Sequence, residues 1–114
     1  MARGNGTLLQ GTLGLLILKA LAAGELHGYG IARWIEEVSG DVLQVEEGSL
    51  YPALRRLEDR GFVTSRWKLT DTNRRARYYA LTPAGKADLR RDAAAWLSFS
   101  AAVTLILRER PSIA

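Results

Sequence analysis

The sequence predicts a mainly α fold with a small two-stranded β-wing, that is, a winged helix-turn-helix followed by one long C-terminal helix. Three observations carry that prediction. Apolar residues recur at helical spacing in three short segments before residue 61. Two β-rich segments then flank a polar tip, TDTNRRA, at 70–76. A last segment opens with LTPAG and keeps apolar residues at helical spacing to about Leu107, longer and greasier than so small a domain needs to close itself. The expected division is 1–82 for the winged part and 83–114 for the added helix.

The first helix is expected over about Leu8 to Ala23. Leu8, Leu9, Leu13, Leu16 and Leu21 are among leucines that surround its axis, so it must be buried on more than one face. Gly24 is a natural stop. A second helix, about Tyr29 to Ser39, gathers Ile31, Trp34, Ile35 and Val38 in one stripe and ends before Gly40. A third, about Ser49 to Arg60, turns Leu50, Ala53, Leu54 and Leu57 to the core, with Ser49 as a candidate cap and Pro52 expected in its first turn. Glu46 and Glu47 sit where its macrodipole favours acids. Phe62 to Leu69 and Arg77 to Leu81 are the two strands, and Asn73 between them suits a left-handed turn position. Thr82 and Pro83 then supply the cap and first residue of the last helix. Along it Leu89, Ala93, Trp96, Phe99, Val103 and Ile106 recur at helical spacing.

The chain of 114 residues is 47% hydrophobic, enough for one modest core. Its net charge is +4 and its pI about 9.9, which points to an acidic partner. Without cysteine there is no disulfide, thiolate metal site or thiol nucleophile, and a reducing cytoplasm fits. His27 is the single histidine, so no metal is expected; its expected role is to cap or pack beside the second helix. GYG at 28–30 lacks the third glycine of a dinucleotide loop, and no nucleophile–base motif is present, so neither a cofactor nor an enzymatic activity is expected. The uncharged run at 93–107 is shorter than the roughly 20 residues a membrane span needs.

Charge is unevenly distributed. Residues 49–77 hold eight Arg or Lys against three acids, whereas 25–47 hold six acids and only Arg33. The basic excess therefore falls on the third helix and hairpin, the elements a winged helix lays on DNA. Ser49, Tyr51, Pro52, Arg55 and Arg56 on the helix, with Lys68, Arg74, Arg75 and Arg77 on the hairpin, are the candidate DNA-binding residues. An ordinary solvated helix face would look similar; the charge distribution favours the DNA reading. Trp96 has two readings that can hold together: a seam anchor between two subunits, or a stacking plate for a flat ligand.

Four segments, LLQGTLGLLILKAL, HGYGIA, GSLYPALRRLEDRGFV and RYYALTPAG, together resemble the PadR family of bacterial transcriptional regulators over about three quarters of the chain. The third is the most specific. The resemblance implies a homodimeric winged-helix repressor bound to a near-palindromic operator in double-stranded DNA. Its last helix would cross to the partner's first, through Leu8, Leu9, Leu13, Leu16, Leu89, Trp96, Phe99, Val103 and Ile106. It also implies Ser49, Tyr51 and Pro52 at the DNA face, and a small aromatic effector near Trp96. Here Gly30, Asn73 and Ala76 depart from the residues usual in that family. The alternative reading is a winged-helix protein-interaction module that docks a partner through its apolar last helix, which would not need a basic third helix and wing.

Overall fold

The computed structural model describes the backbone of residues 2–112 and the side chains of residue 9 and residues 11–112. The order is α1 (Ala2–Ala20), β1 (Leu26–His27), α2 (Gly28–Val38), α3 (Glu47–Asp59), β2 (Val63–Leu69), β3 (Arg75–Leu81) and α4 (Pro83–Arg108). The wing is the expected antiparallel hairpin, running from Val63 opposite Leu81 to Leu69 opposite Arg75, but its second strand starts two residues earlier than expected, at Arg75, because the turn is tighter. Its turn rests on Asn73 at φ 65°, the left-handed position expected of it. What the sequence did not announce is β1. These two residues pair Leu26 with Tyr79 and His27 with Tyr78, making a three-stranded sheet in the order β1-β3-β2.

The core is one cluster drawn from every helix but the last, with the sheet closing one side. Ile17, Leu18, Ile31, Leu50, Leu54 and Val63 are fully buried in it. Leu9 and Leu13 belong to it as well, which leaves them little surface to give a partner; Leu16 is partly buried against it. Leu8, the other α1 candidate for a dimer seam, lies outside the described side chains. The α2 stripe holds at Ile31 and Ile35, but Val38, the last residue of the helix, is exposed. His27 caps α2, its Nδ1 accepting from the Gly30 N–H at 2.9 Å.

α3 starts two residues before the expected position. Glu46 is extended, at φ −94° and ψ 147°, and serves as N-cap without a side-chain bond; Ser49 is therefore the third helical residue and not the cap. Pro52 is inside the helix, at its sixth residue rather than in its first turn. Having no N–H, it leaves the exposed carbonyl of Gly48 without the usual i+4 donor.

α4 begins as the sequence implies. The Thr82 hydroxyl accepts from the Gly85 N–H at 3.0 Å and donates to the Gly61 carbonyl at 2.6 Å, joining the helix start to the end of α3. Gly85 is buried against the Phe62 carbonyl, so closely that a Cβ would stand 2.0 Å from that oxygen. Leu89 packs partly on the core, and Asp92 and Trp96 still border a cavity of about 290 Å³ shared with Leu15, Leu18 and Leu57; Trp96 itself and, further along, Leu97, Phe99, Leu105, Ile106 and Leu107 are exposed. No helix among the described residues is long and apolar enough to cross a membrane.

Candidate nucleic-acid interface

Alternation along a strand sends residues 66 and 68 to one face of the wing and 67 and 69 to the other. On the second face Val63 is buried at the base while Trp67 and Leu69 stand exposed toward the tip. Arg75 and Arg77, on β3, stack over Trp67 at 4.9 and 5.9 Å from its ring centroid. α2 and α3 meet in front of this face. Gly28 is buried at the first residue of α2, and the Tyr51 ring lies against it.

The result is a groove of about 810 Å³ between the wing and the front of the helices. Tyr51, Arg74, Arg75 and Arg77 line it together, with Tyr29 and Trp67 as exposed apolar walls. A second groove, about 550 Å³, holds Tyr51 and Arg77 again, now with Arg55, Glu58 and Asp59. Ser49, Pro52 and Arg56 are exposed on α3 but line neither groove, and neither does Lys68. Sequence reasoning missed Tyr29 and Trp67; the signal available was Tyr29 just inside a helix start and Trp67 amid alternating basic residues.

The cations divide into bound and unbound. Among the described residues, Arg56, Arg60, Arg74 and Arg75 make no ion pair. Arg55 reaches Asp59 only at 3.8 Å, with both side chains largely exposed, a contact of little strength. Arg77 donates to the Ser65 hydroxyl at 2.8 Å, and Glu58 holds both groups, accepting from Ser65 at 2.7 Å and from Arg77 at 3.5 Å. Lys68 and Arg66 are held by Glu25, at 2.6 and 2.8 Å. Their donors keep the Glu25 carboxyl ionised far into acid, down to about 2, the Arg66 bond being the larger cause. At the front of α3, Glu46 and Glu47 put negative charge beside the first-turn N–H groups.

A helix-turn-helix whose second helix and adjoining β-hairpin carry exposed tyrosine and unpaired arginine is the framework of the winged-helix DNA-binding regulators. Residues 17–91 match the transcriptional regulator PadR-like family. The chain belongs to that family, which is one of regulators and not of enzymes.

Over 73 residues the chain is 37% identical to the negative transcriptional regulator PadR of Bacillus subtilis, a match covering 64% of this chain and 40% of that protein. It therefore spans well under two thirds of that relative. It is 40% identical over 79 residues to the transcriptional regulator Rv3488 of Mycobacterium tuberculosis, covering 68% of this chain and 69% of that one. Among solved structures, a transcriptional regulator from Clostridium thermocellum superposes with a TM-score of 0.80 at 25% identity, over 90% of this chain and 99% of the other. Bacillus subtilis PadR in complex with operator DNA superposes at 0.64 with 31% identity, over 90% of this chain and 50% of that one.

Proposed function

We propose that the chain is one protomer of a homodimeric cytoplasmic repressor that occludes a promoter by binding a near-palindromic operator. Two copies of α3 enter successive major grooves about 34 Å apart, and the wing tips follow the adjoining backbone. The observation that carries this reading is the convergence of Tyr51 with the unpaired Arg74 and Arg75 on one open groove. The Bacillus subtilis PadR–operator complex, alike in fold, supports it. Ser49, Tyr51, Pro52, Arg55 and Arg56 form the helix side of the contact, and Arg74 and Arg75 the wing side. Lys68 stands back from it, held by Glu25, whereas Arg77 lines the same groove with its guanidinium tied to Ser65 and Glu58.

Dimerisation is the work of residues 83–114. Trp96, Phe99, Val103 and Ile106 present an exposed apolar row that a second copy would cover. Trp96 lies 6.2 Å from Phe99, ring centre to ring centre, so the pair anchors the seam and offers a flat face to an aromatic effector. Quenching of tryptophan emission by a titrated phenolic compound tests that second use.

The DNA reading is tested by fluorescence anisotropy with duplexes recovered from genomic fragments that the pure protein retains. The wild type should bind one short sequence far above random DNA. Tyr51→Ala should lose roughly tenfold, the worth of one hydrogen bond to a charged group. Arg74→Ala with Arg75→Ala should reduce the slope of log affinity against log salt by about two. Unchanged affinity in both variants refutes the contact assignment.

A further inference from the structure

The wing has five cations, and the structure does not treat them alike. Arg74 and Arg75 at the tip have no acidic partner among the described residues, whereas Arg66 and Lys68 share one carboxylate delivered from 41 and 43 positions earlier in the chain. That carboxylate, Glu25, stands just before β1. The pairing of β1 with β3 brings it across the sheet to the face of Arg66 and Lys68.

Both its oxygens are occupied: Oε2 accepts from Arg66 Nε at 3.2 Å, and Oε1 from Arg66 Nη2 at 2.8 Å and Lys68 Nζ at 2.6 Å. Lys68 is fixed further by lying 4.5 Å over the Tyr78 ring. The cations remain largely open to solvent, 67% for the Arg66 side chain and 39% for Lys68, while Glu25 is 24% exposed beneath them. A phosphate could therefore reach them sterically. What stands against it is the negative charge already seated there, which cancels part of the attraction, and the two Arg66 N–H groups and one Lys68 N–H already given to Glu25.

Sequence-independent affinity for DNA comes from neutralised phosphates, each contributing about 0.9 to the salt slope. Discrimination is the ratio of operator affinity to that background. A protein that reads a sequence gains from limiting how many phosphates its wing can neutralise. We propose that Glu25 is a specificity-determining residue: it withholds Arg66 and Lys68 from the DNA backbone, so that the wing contacts phosphate only at its tip. This rests on the DNA-binding reading above.

The test is an anisotropy titration of the full chain on a random-sequence duplex over a salt series, with wild type, Glu25→Gln, Arg66→Ala with Lys68→Ala, and the triple variant. Glu25→Gln keeps the shape and removes the charge. It should bind random DNA roughly three to ten times more tightly than wild type at low salt, with the salt slope steeper by about two, one step for each cation released. The triple variant should return to the wild-type value. Arg66→Ala with Lys68→Ala alone should change binding far less than Arg74→Ala with Arg75→Ala, a comparison that does not depend on Glu25→Gln folding. A folded Glu25→Gln with unchanged affinity and slope overturns the proposal and leaves the bridge as a staple between β1 and the wing. Equal losses from the two double variants overturn it as well. A wild type that binds no duplex even at the lowest salt refutes the DNA-binding reading itself, and this proposal with it.

Discussion

The Tyr51 phenol rests on the Cα of Gly28: a Cβ at that position would stand 2.6 Å from the hydroxyl oxygen and 3.0 Å from two ring carbons. Glycine at the front of α2 thus sets where the exposed aromatic of α3 points. Because Tyr51 is 45% exposed, its ring can swing away from an added methyl group without unfolding the core. Gly28→Ala should therefore leave the melting temperature within a few degrees of wild type, about the effect of 1 kcal/mol or less. It should weaken operator binding roughly tenfold, as Tyr51→Ala does. Combining the two should cost little more than either alone, since both act on one side chain. Additive losses in a double-mutant cycle would show that Gly28 does not act through Tyr51.

Gly85 is the opposite case. The atom in the way of a Cβ is the Phe62 backbone carbonyl oxygen, at 2.0 Å, and it cannot rotate aside. Alanine normally gains about 1 kcal/mol over glycine in a helix interior. Here Gly85→Ala should instead destabilise by about 1–3 kcal/mol, since the start of α4 must lift off the end of the α3–β2 connection. Urea denaturation followed by circular dichroism reads this directly, and a variant as stable as wild type would contradict the close packing.

Much of the architecture could be read from residue types, where a helix shows its buried face as a period or its end as a side-chain cap. Leu50, Ala53, Leu54 and Leu57 are buried as their spacing implied, and Thr82 caps α4 as its place before Pro83 implied. β1 was not legible, since two residues cannot display a period and their pairing with Tyr78 and Tyr79 is a tertiary event. The start of α3 was missed for a related reason: Glu46 caps by backbone geometry alone, with no side chain to advertise it. The candidate contact surface was half legible. Counting charges along the chain put Glu25 with the acidic segment, away from the wing, yet folding seats it on Arg66 and Lys68. A linear tally of charge cannot see that an acid 41 positions away will neutralise part of a basic hairpin.

That same carboxylate sets a pH dependence. Glu25 is held at about 2 in the folded chain against an ordinary value of 4.5, so the folded state binds its proton less readily than the unfolded state does. Its contribution to stability is complete above about 4.5 and disappears as pH falls toward 2. Wild type should therefore exceed Glu25→Gln in stability near neutrality, with the gap closing across that acid window. Denaturation midpoints for the two proteins at a series of acid pH values check it. A gap that stays constant down to pH 2 would show that Arg66 and Lys68 do not favour the ionised form.

The exposed end of α4 yields the last prediction. Phe99 and Ile106 are 63% and 73% exposed in the single chain, and they lie on the helix after it has left its own core. Neither belongs to the core of the protomer, and among the described residues Phe99 makes a ring contact only with the exposed Trp96 beside it, so charging them should leave the fold intact. In a dimer each would gain about 1.5–3 kcal/mol from burial, and symmetry doubles the loss when both are replaced. Phe99→Glu with Ile106→Glu should sediment as a monomer with an unchanged circular dichroism spectrum, while wild type sediments as a dimer. Its affinity for a two-half-site operator should fall to that of a single half-site, because the second reading helix is then no longer held at high local concentration. A wild type that sediments as a monomer at micromolar concentration would remove the dimer from the mechanism, and the near-palindromic operator with it.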